Sequence, residues 1–377
     1  MQSKCLRFGI QHLLLSLLFT AGLSSTAIAA ESKLTEPAIR LTLQDALNLA
    51  LSANPEIAVA LREREAIEGV KTQAGARPNP SVSASIQDTR SDTRETTLQI
   101  SQELELGNKR DARIEAADSF YSKATAELEN KKAEIHANVI AAFYEVLVAQ
   151  ERLSLAKSSL EVAQLALDAA SKRVKAGKSS PVEETKSRIS ESTTKIELGQ
   201  ATSQLINSRK RLTALWGNLL PVFESADGQV STIPETAALS ELSAMLENAP
   251  AIRLAKLEID ARGAVTKLER SKSTPNITIS AGVVNNQELG INQALLGLSL
   301  PIPIFDRNQG NLQEAVSRTY KAQDELIALK NQLEANLAGQ YERLNAARQA
   351  AESLRAEILP GAQSAFDAAN KGFTAGK

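Results

Sequence analysis

Residues 139–178 read VIAAFYEVLVAQERLSLAKSSLEVAQLALDAASKRVKAGK, and their spacing decides the fold. Val139, Ala142, Val146, Ala149, Leu153, Ala156, Leu160, Ala163, Leu167, Ala170 and Val174 follow one another at steps of three and four without a break. That mean period, 3.5, is the seam of a coiled coil. Large and small residues alternate along it, so a partner helix interlocks at close range. Counted from Asn108 to Ala176 the helix is roughly 100 Å long at 1.5 Å per residue. Gly177 breaks this rod and Pro181 suits the first turn of the next helix. Val182, Ile189 and Ile196, with Thr185, Ser192 and Gly199 between them, predict the returning seam. The segment therefore folds back as an antiparallel hairpin with AGKSSP at its tip.

Working outward, the hairpin belongs to a unit used twice. SANPEIAVALREREAIEGV at Ser52 matches ENAPAIRLAKLEIDARGAV at Glu247. The corner RPNPSVSAS at Arg77 matches STPNITISA at Ser273, and the offset stays between 195 and 199 residues. The long helix recurs over Asn311–Ala375, with Pro360 as a kink, and the chain stops on a second AGK. By analogy with residues 179–217, the repeat predicts a return arm of about 40 further residues, so the chain is read as C-terminally truncated. Boundaries follow: a leader over 1–29, a first repeat over 42–217, a connector over 218–236 and a second repeat over 237–377. Within the first repeat the strands fall at about 81–106 and the hairpin at 108–217; in the second the strands fall at about 276–304.

Thr42 with Asp45 reads as a helix cap, and Asn54-Pro55 ends one helix and opens the next. Each repeat carries one β-hairpin. Val82, Ala84 and Ile86 alternate with Ser81, Ser83 and Ser85; Leu98, Ile100, Leu104 and Leu106 alternate with Gln99, Ser101, Glu103 and Glu105. Ile277, Ile279, Ala281 and Val283 alternate with Thr278, Ser280 and Gly282, and Leu296 to Ile304 are apolar at every second residue. Period two gives each strand one apolar and one polar face. Four such strands cannot close a membrane barrel, because open edges in lipid leave backbone groups unpaired. If they enter a membrane, several chains pool their strands; otherwise they form a small soluble sheet.

The bulk numbers exclude other classes. Of 377 residues, 43 are basic and 44 acidic, which gives nucleic acid no basic surface to bind. Lys4, Arg7, an apolar run to Phe19 and Ala27-Ile28-Ala29 make a secretory leader cut after Ala29 or Ala30. Cys5, the sole cysteine, leaves with it, so the mature chain has no thiol chemistry and no disulfide. His136 is the remaining histidine. Glu134 lies on another helix face, so no metal site is expected there. No nucleophile motif, phosphate loop or paired-acid spacing points to an enzyme or to a cofactor. Gly107–Arg110 reads as a helix start at a strand junction or, less simply, as an anion or lipid-headgroup contact. Glu183-Glu184 reads equally as partner contact or solvated surface, and Asp227-Gly228 as a turn.

These residues resemble the TolC-type outer-membrane efflux proteins over nearly the whole mature chain. The resemblance is carried by LTLQDALNLALSANPEI, RPNPSVSAS, QELELGNKR, PIPIFDRNQG and the paired AGK tips. RPNP with ELGNKR is most similar to the CzcC-like branch serving cobalt, zinc, cadmium or nickel efflux. The resemblance implies a mainly α fold with a β-barrel portion, built from two tandem helical hairpins with a β-hairpin each. It further implies a homotrimer with a twelve-stranded barrel in outer-membrane lipid and a helical periplasmic tunnel. Ser81, Ser83, Ser85, Gln99, Ser101, Thr278 and Ser280 would face the lumen. The tips, Gly177, Lys178, Ser179, Ser180 and Pro181 with Gly376 and Lys377, would dock a periplasmic membrane-fusion adaptor and, through it, an inner-membrane RND pump. A conduit for drugs or secreted polypeptides, and a poreless periplasmic coiled-coil scaffold, are the alternatives.

Overall fold

The computed structural model describes residues 36–230 and 236–374. The expected leader and the tip residues Gly376 and Lys377 lie outside them. The chain opens with β1 (Arg40–Thr42), α1 (Leu43–Ala53) and α2 (Pro55–Ala74), followed by β2 (Ser81–Gln87) and β3 (Glu95–Leu104). The hairpin helices are α3 (Lys109–Lys175) and α4 (Pro181–Ala214). After β4 (Ser225–Asp227) come α5 (Leu239–Leu246), α6 (Pro250–Ser271), β5 (Ile277–Asn286) and β6 (Ile291–Ser299). The long helix α7 (Gln309–Ser353) passes through a π turn, Leu354–Ile358, into α8 (Leu359–Thr374).

Local chemistry sets these boundaries. The Thr42 hydroxyl accepts from the Asp45 amide while the Asp45 carboxylate accepts from Thr42, a complete capping box. Asn54 Oδ1 accepts from the amides of Glu56 and Ile57 at 2.8 and 3.0 Å, and its Nδ2 donates to the Leu215 carbonyl. One buried side chain thus caps α2 and ties it to the base of the α3–α4 hairpin, just past the end of α4. At the tip, Gly177 adopts φ +69°, the Lys178 amide donates to the Arg173 carbonyl and the Gly177 amide to Val174. This is a Schellman close, which needs the left-handed residue that glycine supplies. Ser180 then caps α4 through the Val182 amide.

The core sits at the base of the hairpin. Phe143, Phe223, Leu41, Ile135, Val139, Val146 and Leu212 are fully buried there. β1 and β4 pair in parallel, Leu41 opposite Ala226. Asp227 is therefore not part of a free turn: it closes this small sheet opposite Thr42. The Gln150 amide of α3 both donates to and accepts from the Ala226 backbone, doing for β4 what a third strand would. Glu36 accepts from the amides of Val222 and Phe223, from Asn218 Nδ2 and from Trp216 Nε1, and so pins the segment leading into β4.

Along α3 the positions from Val139 to Val174 are the covered ones, but α4 meets them with another stripe. Val182, Ile189 and Ile196 are exposed, Ile196 at 64%, and Thr185, Ser192 and Gly199 lie beside them. The covered positions of α4 are Glu184, Ser187, Glu191, Thr194, Leu198, Ala201, Leu205, Ser208 and Leu212, again at steps of three and four. The expectation followed the larger residues. The large residues of α3 take up the space between the helices, so small and polar ones suffice opposite them. The Glu184 and Glu191 carboxylates are carried by Arg188 and Lys195, one turn on. Of the outward stripe, Ile196 and Gly199 line a groove shared with Tyr144 and Val148 of α3.

The strand ends also shift. β3 stops at Leu104, before Leu106, and β6 stops at Ser299, before Ile302 and Ile304. Pro301 and Pro303 have no amide proton to continue the ladder. At Pro360 the helix does not break. It widens into the π turn just before, where the Leu359 amide bonds the Leu354 carbonyl.

The two stripes of α4 predict unequal costs. Leu212→Ala should destabilise the dissociated subunit by about 2–5 kcal/mol, whereas Ile196→Ala should change it by less than about 0.5 kcal/mol. Urea midpoints read by helical circular dichroism check this, and equal losses would restore the Ile196 stripe to the seam.

Candidate functional site: a sheet exposed on both faces

Four strands form one antiparallel sheet in the order β2-β3-β5-β6. Opposite Val82 stands Ile100, opposite Ile100 stands Ala281, and opposite Ala281 stands Leu296, so the apolar positions share one face. The register likewise puts Ser81, Ser83, Ser85, Gln99, Ser101, Thr278 and Ser280 together on the other. Glu95, which sequence reasoning did not single out, and Glu103, read on the polar side of the alternation, join them. Their carboxylates accept from the side chains of Asn286 and Asn276. None of these four strands contains a Lys, Arg or His.

Exposure is inverted relative to an ordinary soluble sheet. Leu296 is 82% exposed and Leu298 and Val82 are each 72% exposed, while Gln99, Ser101, Thr278 and Ser280 are partly covered. The glycines explain the asymmetry. A Cβ on Gly282 would lie 2.5 Å from the Leu98 carbonyl oxygen, and one on Gly297 would lie 2.5 Å from Ser280 Oγ. Both would point to the polar face, so neighbouring strands crowd together on that side. Glycine at these two positions permits that close approach. The sequence signal was available: each glycine interrupts an alternating run at a polar-face position.

The junction below the sheet uses up the GNKR residues internally. Lys109, nearly buried, donates to the Thr274 carbonyl and to Asn276 Oδ1. Burial pushes its pKa below the usual lysine value. Arg110 donates to the Gly75 carbonyl. Arg113 donates to the carbonyls of Ala74 and Ala76 and forks onto Glu105 at 2.5 and 3.1 Å. Neither an anion nor a headgroup is needed to satisfy Lys109. At the distant tip, Gly177 to Pro181 are solvent-facing apart from half-covered Ser179, with Glu183 paired to Lys186 and Glu184 to Arg188. His136 is exposed on α3, and among the described residues no three His, Cys, Asp or Glu converge on a point.

Comparison with known proteins places this geometry. The outer membrane efflux protein family matches residues 46–218 and 242–377. The chain belongs to the outer membrane efflux protein family. It is 42% identical over 342 residues to the cobalt-zinc-cadmium resistance protein CzcC of Cupriavidus metallidurans, covering 91% of this chain and 82% of that one. It is 28% identical to the nickel-cobalt-cadmium resistance protein NccC of Alcaligenes xylosoxydans, over 65% of this chain and 55% of that one. Two solved structures share the fold. A membrane protein from Pseudomonas aeruginosa superposes with a TM-score of 0.75 at 20% identity, covering 89% of this chain and 84% of that chain. The Campylobacter jejuni outer membrane channel CmeC superposes with a TM-score of 0.69 at 16% identity, covering 89% and 77%. As a member of an outer membrane efflux family, the chain is an outer-membrane protein with a transport role.

Two predictions follow from the sheet and its junction. Gly282→Val should abolish recovery of folded protein, because its side chain meets backbone, while Gly199→Ala, which has open space around it, should not. Comparable folded yields for both would refute the close strand approach at Gly282. The Arg113 fork holds the Glu105 carboxyl below the usual carboxylate range. A folded-state value below the unfolded one, about 4.3, stabilises the junction above that pH and is lost as pH falls through the folded value. The advantage of the native chain over Glu105→Gln in thermal midpoint should be present at pH 7 and shrink below about pH 4; a constant difference would remove the ion pair from the account.

Proposed function

We propose that three copies of this chain pool their sheets into a twelve-stranded outer-membrane barrel and their hairpins into a periplasmic tunnel. The assembly is the exit duct of a tripartite efflux system for divalent heavy-metal cations such as cobalt, zinc, cadmium and nickel. The observation that carries the channel reading is the sheet itself: one face apolar and exposed, one polar, with β2 and β6 open at its edges. Strands of 7–10 residues rise about 23–34 Å at 3.3–3.4 Å per residue, which suits the apolar band of a bacterial barrel, about 25 Å tall. Lipid satisfies the outer face; only other copies satisfy the edges.

In this reading Ser81, Ser83, Ser85, Gln99, Ser101, Thr278 and Ser280 line the water-filled lumen. Gly177 to Pro181, with Gly376 and Lys377 of the second tip, form the end that docks a periplasmic adaptor and an inner-membrane RND pump. The groove beside Ile196 and Tyr144 is covered by neighbouring helices of the tunnel. The duct is passive: it has no catalytic step and no cofactor, and the pump supplies the energy. The cargo assignment rests on the relatives named for cobalt, zinc, cadmium and nickel resistance.

Deletion of the gene should sensitise cells to salts of these metals and leave drug tolerance unchanged, with rescue by the native chain. Drug sensitivity alone would replace the cargo by organic molecules. Recovery of the protein by salt wash, without detergent, would overturn the barrel and favour a scaffold.

A further inference from the structure

The internal repeat specifies how one copy joins the next. Within the chain, Ser81 pairs with Ser101 and Thr278 with Ser299. Superimposing Pro78-Asn79 on Pro275-Asn276 makes Ser81 equivalent to Thr278, and the pairing then makes Ser101 equivalent to Ser299. Val82, Ala84 and Ile86 of β2 correspond to Ile279, Ala281 and Val283 of β5. Leu98 and Ile100 of β3 correspond to Leu296 and Leu298 of β6. The two hairpins are the same object.

The β3–β5 ladder therefore joins the second strand of one hairpin to the first strand of the next. The open edges are β6, a second strand, and β2, a first strand. On the reading that copies close a barrel, we infer that β6 of one copy pairs antiparallel with β2 of its neighbour in the register of the β3–β5 ladder. Ser101 opposite Ser280 becomes Ser299 opposite Ser83 of the neighbouring copy. Ile100 opposite Ala281 becomes Leu298 opposite Ala84, and Leu98 opposite Val283 becomes Leu296 opposite Ile86. Gln99 opposite Gly282 becomes Gly297 opposite Ser85: the glycine changes strand, and the joint keeps one.

The chemistry agrees with the transfer. In the pairs named, apolar residues stand opposite apolar ones and polar-face residues opposite polar-face ones; on the polar face Leu295 falls opposite Gln87, as Thr97 stands opposite Val284 within the chain. A slip of one residue would put leucines opposite serines and turn one strand inside out. Slips of two keep the faces, and the repeat alone selects among them. The partner is a second copy of this chain, because β2 and β6 of one copy are separated by β3 and β5.

Cysteine pairs test the register, with Cys5, the sole native cysteine, changed to Ser. Directly opposite residues have Cα atoms about 4.5–5.5 Å apart, inside the range that a disulfide bridges. A shift of two residues adds about 6.8 Å along the strand and takes the pair beyond it. After oxidation with copper phenanthroline, Ser83→Cys with Ser299→Cys should give covalent dimers and trimers that reductant dissolves. Ser81→Cys with Ser299→Cys, and Ser85→Cys with Ser299→Cys, should stay monomeric on the denaturing gel. A ladder from either shifted pair, or none from any pair in a preparation that sizes as an oligomer, would overturn the register and leave the barrel standing. A preparation that sizes as a monomer would overturn the barrel and the register with it.

Discussion

A backbone amide in hydrocarbon has no substitute for a partner, and this constraint governs the molecule. The sheet places about half its side chains, the apolar ones, where only lipid suits them. Yet it leaves two strands with a bare edge. A water-soluble protein would fold the apolar face against a helix and cap the edges with charge. Here the four strands carry no basic residue, and the apolar face stays uncovered. In the proposed assembly lipid meets the first demand and other copies meet the second.

The helical part obeys a weaker rule. Water satisfies any amide the helices leave free, so their placement depends on side-chain packing. The base of the hairpin is a conventional core around Phe143 and Phe223, fastened by Glu36, Asn54 and Gln150. Toward the tip, α4 lines its seam with Glu184, Ser187, Glu191 and Thr194, which offer α3 little apolar surface. Its isoleucines look outward. The hairpin is thus firmly held at its base, and toward the tip it leaves an apolar stripe exposed.

The sequence made legible what rests on strong periodicity or on a residue with one conformational use. The α3 seam, the strand faces, the capping box at Thr42, the Asn54-Pro55 break and the Gly177 close were all readable. The α4 stripe was misread because size stood in for burial: Ile189 is larger than Glu191, but Glu191 is the residue against α3. The short strands β1 and β4 were missed because three residues carry no period, and their pairing spans about 185 residues of sequence. Of the site, the shared polar face was readable from alternation, but the close approach of β3 and β5 required seeing where a Cβ on Gly282 would land.

The π turn before Pro360 has a consequence for phase. Beyond Ser353, Leu354, Ile358, Ala362 and Phe366 step by four each time, with Leu359 standing off this stripe. In an unbroken α-helix three successive steps of four would carry the stripe round the axis and away from its starting face. The wider turn at Leu354–Ile358 takes up the surplus residue locally. The stripe resumes on the far side in alignment with its origin, and the same widening accommodates the proline's missing proton. The turn therefore acts as a timing correction: it allows one straight groove, on whatever helix lies alongside, to follow both α7 and α8 without crossing over.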